Sequence, residues 1–145
     1  MIREIDWEAI RSIWEQELWP GRKDIEPQSA MLYLSGHDMT NFTLPTLYLG
    51  YFEGGVLKGV NSGHECGDGS YRSRGLWVHP ELRGHGIGTE LLKITIEKGR
   101  ERNLFCWSFP RKTSWTVYSK AGFSLTSDWQ SSDTSSANAF CKLEY

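Results

Sequence analysis

The sequence predicts one domain of the α+β class, in which helices pack on a mixed sheet. Two segments, 7–18 and 87–102, carry apolar residues at the spacing of an amphipathic α-helix. Gly54-Gly55 and Gly67-Asp68-Gly69 each separate two runs of alternating apolar residues, which is a hairpin signal. The sequence has no internal repeat and no domain boundary, so we expect residues 1–145 to form a single domain.

Capping and turn residues predict the N-terminal elements. Met1–Ile5 is expected to form a strand, and Asp6 is a suitable N-cap for the helix that follows. Pro20-Gly21 would end this helix. For the next segment we favour a second short helix from Pro27 to Leu34 that stops at Gly36, with a strand as the alternative.

A meander of three strands is predicted to follow, joined by the two glycine turns. The strands are Thr46–Glu53, Val56–Cys66 and Ser70–Val78. The next helix would run from about Ile87 to Arg102 and stop at Asn103. Its inner face would consist of Ile87, Leu91, Leu92, Thr95 and Ile96.

The C-terminal part is predicted to contain one strand, one helix and a closing hairpin. Leu104–Phe109 is a short aromatic strand, and Thr113–Lys120 is a short helix that ends at Ala121-Gly122. Phe123–Trp129 and Ala137–Tyr145 would pair around the Ser/Asp-rich residues 130–136, which we interpret as a solvated loop.

Composition and charge exclude several classes of function. The 145 residues are 39% apolar and 13% aromatic, which is typical of a folded domain. The net charge of −2 provides no basic surface for nucleic acid. No apolar run is long enough to span a membrane and no secretion signal is recognisable, so we expect a cytoplasmic protein. Cys66, Cys106 and Cys141 are odd in number and lack C-x-x-C spacing, so we expect buried, reduced thiols.

The most informative motif is Arg-Gly-His-Gly-Ile-Gly at 83–88, between a β-like run at 76–80 and a helical run that begins with Thr89. Glycines allow positive φ and close approach of the backbone to a ligand. The N-terminus of a helix directs unpaired N–H groups and the positive end of its dipole at the same point, which favours phosphate. A P-loop would need Gly-Lys-Ser/Thr, and a dinucleotide-binding turn would need glycine at Thr89. What remains is R-x-x-G-x-G at the start of a helix.

Two stretches resemble the GNAT superfamily of acyl-CoA-dependent N-acetyltransferases. LWVHPELRGHGIGTELL (76–92) is similar to the central motif of that family. VYSKAGF (117–123) is similar to the following motif, in which a Tyr precedes a Gly-Phe pair by four residues. The order of predicted elements also resembles the GNAT fold. This resemblance implies a three-layer structure, with helices on both faces of a mostly antiparallel sheet that splays between strands 70–78 and 104–109.

The resemblance implies acetyl-CoA as co-substrate. Its pantetheine arm would lie between the splayed strands and pair with main-chain groups of Leu76, Trp77 and Val78. Its pyrophosphate would accept hydrogen bonds from the turn before the helix, with a charge-assisted contact from its arginine. The residues of this turn are Arg83, Gly84, His85, Gly86, Ile87, Gly88 and Thr89. Arg111 stands where many family members carry an Asn that contacts CoA, and we expect it to approach a CoA phosphate instead.

Tyr118 is the candidate catalytic residue, because the Tyr at the matching family position lies beside the thioester sulfur. A phenol with a pKa of about 10 is protonated at pH 7 and can donate to the thiolate as it leaves. The sequence does not identify a general base. The candidates that could act through water are His64, Glu65, Glu26 and the C-terminal carboxylate, but for each of them we favour the interpretation as an exposed polar residue.

Arg72 and Arg74 stand two residues apart, so they share one face of a strand. Either they face solvent or, together with Glu65, they contact the acceptor; in that case two cations favour an acceptor with a carboxylate or phosphate group. Cys106 lies on a strand that faces the expected cleft, but we interpret it as a buried apolar thiol. Four dispersed histidines and no clustered carboxylates predict no metal site.

These observations predict an acetyl-CoA-dependent N-acetyltransferase that acts on a primary amine of a small molecule by direct attack in a ternary complex. We expect no nucleic-acid or membrane partner, and a homodimer is compatible with the sequence. A protein N-terminus or lysine is an alternative acceptor, and a non-catalytic acyl-CoA-binding module or a surface adaptor is an alternative function. Residues 14–20 weakly resemble the start of some aminoglycoside N-acetyltransferases. The acidic residues near them that could hold a polycation are Glu15, Glu17, Asp24 and Glu26.

Overall fold

The computed structural model describes residues 1–22, 25–26, 33–34, 46–132 and 135–143. The predicted second helix at Pro27–Leu34 lies almost wholly outside the described residues. The α-helices of the described part are α1 (Trp7–Ile13), α2 (Ile87–Glu101) and α3 (Trp115–Lys120). The strands are β1 (Ile2–Glu4), β2 (Thr46–Glu53), β3 (Val56–Glu65), β4 (Ser70–Val78), β5 (Phe105–Ser108), β6 (Ser124–Leu125), β7 (Gln130–Ser132), β8 (Ser135–Asn138) and β9 (Cys141–Leu143).

Seven strands form one sheet in the order β1-β2-β3-β4-β5-β9-β6. The pair β4–β5 is parallel, and the other neighbouring pairs are antiparallel. Helices cover both faces, as two consecutive residues of β3 demonstrate. Val60 packs in one cluster with Ile10 and Trp14 of the N-terminal segment, whereas Gly59 lies against Ile87 and Leu91 of α2. The mixed, mostly antiparallel fold is therefore confirmed.

The N-terminal helix begins where the cap predicts. Asp6 accepts a hydrogen bond from the Ala9 backbone N–H at 2.9 Å. After α1 the chain continues as a wider π-helical turn, Trp14–Leu18, before Pro20-Gly21. In this turn the indole of the fully buried Trp14 donates to the Gly75 carbonyl of β4 at 2.9 Å. This bond ties the turn to the middle of the sheet.

Helix α2 agrees closely with the sequence expectation. Its predicted inner face is buried along its whole length. Asn103, just after the helix, has φ +57°, a conformation that Asn tolerates and that ends the helical path. The three cysteines are also buried thiols outside any disulfide bond, as predicted. None of the helices in the described ranges is long and apolar enough to cross a membrane.

The C-terminal region differs from the prediction. Residues 130–136 are not only a solvated loop, because β7 and β8 form a separate antiparallel hairpin there. The predicted last strand is divided into β8 and β9, and only β9 joins the main sheet, between β5 and β6. The Ser-rich sequence gave no apolar alternation from which the hairpin could be read, since its backbone pairing does not require apolar side chains.

Candidate active site

Strands β4 and β5 separate in the middle of the sheet. Their parallel pairing runs from Ser70–Phe105 to Arg72–Trp107, after which β4 continues to Val78 without β5 beside it. A cavity of about 550 Å³ opens at this divergence. Its walls come from β4, the glycine-rich turn, the start of α2, the end of β5, α3 and the π-helical turn. The predicted splay is thus present and has the size of a small-molecule site.

A β-bulge redirects β4 where it borders the cavity. Ser62 pairs with Arg74 and Val60 with Trp77, so the two residues Gly75 and Leu76 oppose one residue of β3. Gly75 has φ +77°, and a Cβ there would lie 2.3 Å from the Trp14 indole. Beyond the bulge, Leu76, Trp77 and Val78 line the cavity. The side chain of Trp77 is buried against the N-terminal helix, and its backbone pairs with Val60 of β3.

The glycine-rich turn presents an open cradle of backbone N–H groups. Gly84 and Gly86 have φ +83° and +84°, and a Cβ at either position would meet no protein atom within 4 Å. Gly86 is the N-cap of α2 and provides no capping side chain, and the first helical bond runs from Glu90 N–H to the Gly86 carbonyl at 3.0 Å. The N–H groups of residues 87–89 are therefore available to an anion.

Two side chains stabilise the shape of this turn. Arg83 Nε donates to the Val78 carbonyl at 2.9 Å, which ties the turn to the end of β4. His85 Nδ1 lies 3.1 Å from the carbonyls of Leu82 and Arg83. The predicted turn residues that line the cavity are Arg83, Gly84, Gly86, Ile87, Gly88 and Thr89, and His85 is not among them.

Tyr118 lines the cavity from α3 and is 2% exposed. Its ring packs edge-on against Phe123 at 5.2 Å, and its hydroxyl lies 3.1 Å from Ser73 Oγ. Burial raises the pKa of Tyr118 to about 12, although hydrogen bonds with Ser108 and Ser73 oppose this shift. The phenol is therefore protonated throughout the physiological pH range.

A buried network of hydrogen bonds connects the Tyr118 hydroxyl, through Ser73, to α2. Asn61 Nδ2 donates to Ser73 Oγ at 3.0 Å and to Thr95 Oγ1 at 2.9 Å. Thr95 in turn donates to the Leu91 carbonyl of α2 at 3.0 Å. Either hydroxyl of the Ser73–Tyr118 pair can be the donor, and Ser73 Oγ also lies 3.3 Å from Asn61 Oδ1 as a second acceptor. When Ser73 donates to Tyr118, the phenolic hydrogen is free to point into the cavity. This network could not be predicted from the sequence, because its members are distant along the chain.

Arg72 and Arg74 lie on the same face of β4, as predicted, and both line the cavity while being almost completely buried. Burial lowers the pKa of both, to about 10 for Arg72. Arg111 also lines the cavity, and its guanidinium donates to the Leu18 carbonyl at 2.5 Å. Burial, and secondarily the charge of Arg22, lower the pKa of Arg111. This end of the cavity is therefore strongly cationic.

The candidate bases lie in different environments. Glu65 does not line the cavity and pairs with Arg102 at 2.6 Å, so it is remote from the predicted acceptor position. His64 is buried outside the cavity lining, and burial, then Arg72 and Arg74, hold its pKa well below the usual value. Glu26 raises the pKa of Arg74 by its charge. Tyr145, with the C-terminal carboxylate, lies outside the described residues.

Two further groups of residues line the cavity. The π-helical turn contributes Glu17, which the sequence suggested as part of an acidic site for a polycation, together with Leu18 and Trp19, which had no signal beyond the aromatic pattern of 14–20. Ser108 at the end of β5 donates to the Ser73 carbonyl at 2.6 Å across the point of divergence. Cys106, in contrast, lies in the apolar core with Leu92 and Tyr118 and does not line the cavity, which agrees with its interpretation as a buried apolar thiol.

The chain belongs to the acetyltransferase (GNAT) family, whose sequence model matches residues 4–123. This match spans the sheet from β1, the glycine-rich turn and α3 with Tyr118. The resemblance inferred from 76–92 and 117–123 is thus confirmed. A search of curated protein sequences gave no significant match.

Solved structures share the fold over nearly the whole chain. Escherichia coli ElaA is 12% identical, with a TM-score of 0.75 and 99% of each chain covered. An IAA acetyltransferase from Bacillus cereus is 18% identical, with a TM-score of 0.68, and the match covers 100% of this chain and 99% of that one. An aminoglycoside 6′-N-acetyltransferase complexed with coenzyme A is 10% identical, with a TM-score of 0.68 and coverage of 98% and 95%. These identities establish the common fold.

Proposed function

We propose that this protein transfers the acetyl group of acetyl-CoA to a primary amine of a small molecule by direct attack in a ternary complex. One observation carries the proposal: a single cavity joins the N–H cradle at 84–89, the part of β4 that has no β5 beside it and the Tyr118 side chain. The cradle suits the pyrophosphate of CoA, and the edge of β4 at 76–78, which is open on the β5 side, suits the amides of its pantetheine arm. A thioester at the end of that arm would then lie towards Tyr118.

Positioning would supply most of the catalysis. Binding both reactants in one cavity converts a bimolecular reaction into an effectively unimolecular one. The amine nitrogen forms a bond to the thioester carbonyl carbon, the C–S bond breaks, and the sulfur leaves as a thiolate. Main-chain N–H groups beyond the β4 bulge would polarise the carbonyl oxygen.

Tyr118 would stabilise the leaving sulfur mainly as a hydrogen-bond donor. Its pKa of about 12 lies well above the value of about 8.5 for an ordinary thiol. Complete transfer of the phenolic proton to the thiolate is therefore unfavourable, whereas donation of a charge-assisted hydrogen bond is favourable at any physiological pH. The thiolate would take its final proton from solvent.

Direct attack suits the side chains of this cavity. Of the cavity-lining residues that the structure describes, none is a cysteine, and Glu17 is the only carboxylate. Glu17 is exposed and is not proposed as the general base. The acceptor amine would therefore lose its proton to water. The guanidinium groups of Arg72 and Arg74 would assist this deprotonation. Nearby positive charges lower the pKa of an alkylammonium group and so increase the fraction of neutral, nucleophilic amine.

The experiment is a measurement of CoA release from acetyl-CoA in the presence of a panel of small amines, with peptides bearing a free N-terminus or a lysine as a second arm. We expect release that depends on a small amine, with both substrates required before any product forms. Transfer to the peptides alone would favour a protein acceptor. Tight binding of CoA without transfer to any acceptor would favour the non-catalytic binding module.

A further inference from the structure

Two buried guanidinium groups form one wall of the cavity. Arg72 is 6% exposed and Arg74 is 5% exposed, and both belong to the cavity lining. They project from the same face of β4, two residues apart. A buried charge is strongly unfavourable unless an opposite charge or hydrogen bonds compensate it. The contacts of these two side chains therefore indicate what the wall is built to bind.

Aromatic rings hold both guanidinium groups in place. Arg72 lies over the Trp107 ring at 4.9 Å, and Arg74 lies over Trp19 at 4.4 Å and Trp14 at 5.2 Å. Arg74 also donates to the Ile25 carbonyl at 2.6 Å. Stacking on a ring fixes the orientation of the planar guanidinium but leaves its positive charge without a counter-ion.

The described part of the chain provides little negative charge here. None of the ion pairs among the described residues includes Arg72 or Arg74. The buried Nε of Arg72 has no hydrogen-bond partner. Glu26 acts favourably on Arg74, whereas the positive charge of Arg22 acts unfavourably on both arginines. Glu17, the acidic residue among the described lining residues, is exposed.

We infer that Arg72 and Arg74 form an oxyanion-binding subsite, so that the acceptor is an amine that also carries a carboxylate or phosphate group. This inference rests on the proposed acetyl transfer, whose substrate class it specifies. Planar, pre-oriented guanidinium groups bind the two oxygens of such anions with parallel hydrogen bonds. The cradle at 84–89 already provides for the CoA pyrophosphate at the far end of β4, which leaves the arginine wall for the other reactant.

The first test compares amines that differ only in the anionic group. The pairs are O-phosphoethanolamine with ethanolamine, and β-alanine with β-alaninamide. We expect the anionic member of at least one pair to have a kcat/KM higher by about 10- to 100-fold, the value of one or two charge-assisted hydrogen bonds. The pair with the larger ratio identifies phosphate or carboxylate. Equal or better acetylation of the neutral member in both pairs would overturn the inference and leave the proposed function intact.

Variants of Arg72 and Arg74 test whether the preference for anionic amines arises from these two side chains. R72Q and R74Q should reduce the ratio towards one by raising KM for the anionic amine, while Kd for acetyl-CoA stays unchanged. R72K keeps the charge without the planar fork and should reduce the ratio less. R11Q changes an exposed arginine of α1 and is the matched control. A preference that survives in both glutamine variants, when they are folded as judged by circular dichroism, would also contradict the inference.

A binding measurement separates the inference from the proposed function. Trp14, Trp19 and Trp107 contact the two arginines, so their fluorescence reports on this wall. Wild-type protein saturated with CoA, which occupies the phosphate cradle, is titrated with O-phosphoethanolamine and with β-alanine. A saturable change that R72Q abolishes supports the subsite even when no acetyl transfer is detected. The absence of a saturable change with both ligands would overturn it.

Discussion

At the scale of single residues, Tyr118 joins the apolar core to the cavity. Its ring packs on Phe123, and its hydroxyl reaches Ser73 at the point where β4 and β5 separate. The VYSKAGF motif was enough to predict this residue from the sequence. The identity of its partners was not predictable, because Asn61, Ser73 and Thr95 meet only when three elements pack together.

We predict that Y118F lowers kcat by about 10²–10³-fold, the usual cost of removing one donor to developing negative charge. The substitution keeps the ring and its packing, so Kd for acetyl-CoA should not change. Steady-state kinetics and calorimetry provide the two measurements. Y71F is the matched control, because Tyr71 is a buried tyrosine of the same core cluster that does not line the cavity. Equal turnover in Y118F and Y71F would reduce Tyr118 to a packing role.

At the scale of elements, the turn at 83–88 and the β4 bulge both depend on glycines with positive φ. Gly86 places the open cradle at the N-terminus of α2, and Gly75 lets β4 pass the Trp14 indole. The alternate glycines of the turn predicted the first feature. The second could not be predicted, since nothing local to Gly75 indicates that an indole lies against it.

We predict that G86D weakens CoA binding by about 100-fold, equivalent to about 2.7 kcal/mol. The carboxylate would stand where the structure leaves open space for an anion. Calorimetry with CoA measures the effect, and G86N, similar in size but neutral, should lose less affinity. G69D is the matched control, because Gly69 also has φ +84° and open surroundings but lies in the β3–β4 turn. Unchanged affinity in a folded G86D protein would remove the cradle from the proposed site.

We predict that G75A lowers the free energy of unfolding by about 3–5 kcal/mol, since it combines an unfavourable φ with a clash against Trp14. G69A has a comparable φ without the clash and should lower it by about 1–2 kcal/mol. Urea unfolding of both variants measures the difference. Similar losses in the two proteins would mean that the Trp14 contact does not constrain the bulge.

At the scale of the whole molecule, the buried His64 links stability to pH. Burial, then Arg72 and Arg74, lower its pKa in the folded protein well below the unfolded value of about 6.5. Below about pH 6.5 the unfolded chain therefore binds a proton that the folded chain does not, so stability decreases as the pH falls. The slope approaches about 1.4 kcal/mol per pH unit between about pH 6.5 and 5, above the range in which most carboxylates titrate.

We predict that H64Q flattens this slope, whatever its effect on stability at neutral pH. Urea unfolding at a series of pH values measures it. H85Q replaces an exposed histidine of the turn and should retain the wild-type slope. An unchanged slope in H64Q would assign the pH dependence to other groups.

The sequence by itself determined the order of strands and α-helices from β2 to α3, the glycine-rich turn, the inner face of α2 and the family. These features depend on residues close together in the sequence, through side-chain periodicity, capping residues and glycine spacing. They can therefore be predicted without knowledge of the tertiary structure. The C-terminal hairpin of β7 and β8 was not predicted, because its Ser-rich strands lack the alternation of apolar and polar residues that indicates a strand.

Only the tertiary structure decided what surrounds the reacting groups. It placed Trp14, Trp19 and Trp107 on the guanidinium groups of Arg72 and Arg74, and it separated Glu65 from the cavity by pairing it with Arg102. Burial and electrostatic environment depend on residues far apart in the chain. They are therefore set by packing, and the same arginines that the sequence left as either solvated or functional become a buried cationic wall.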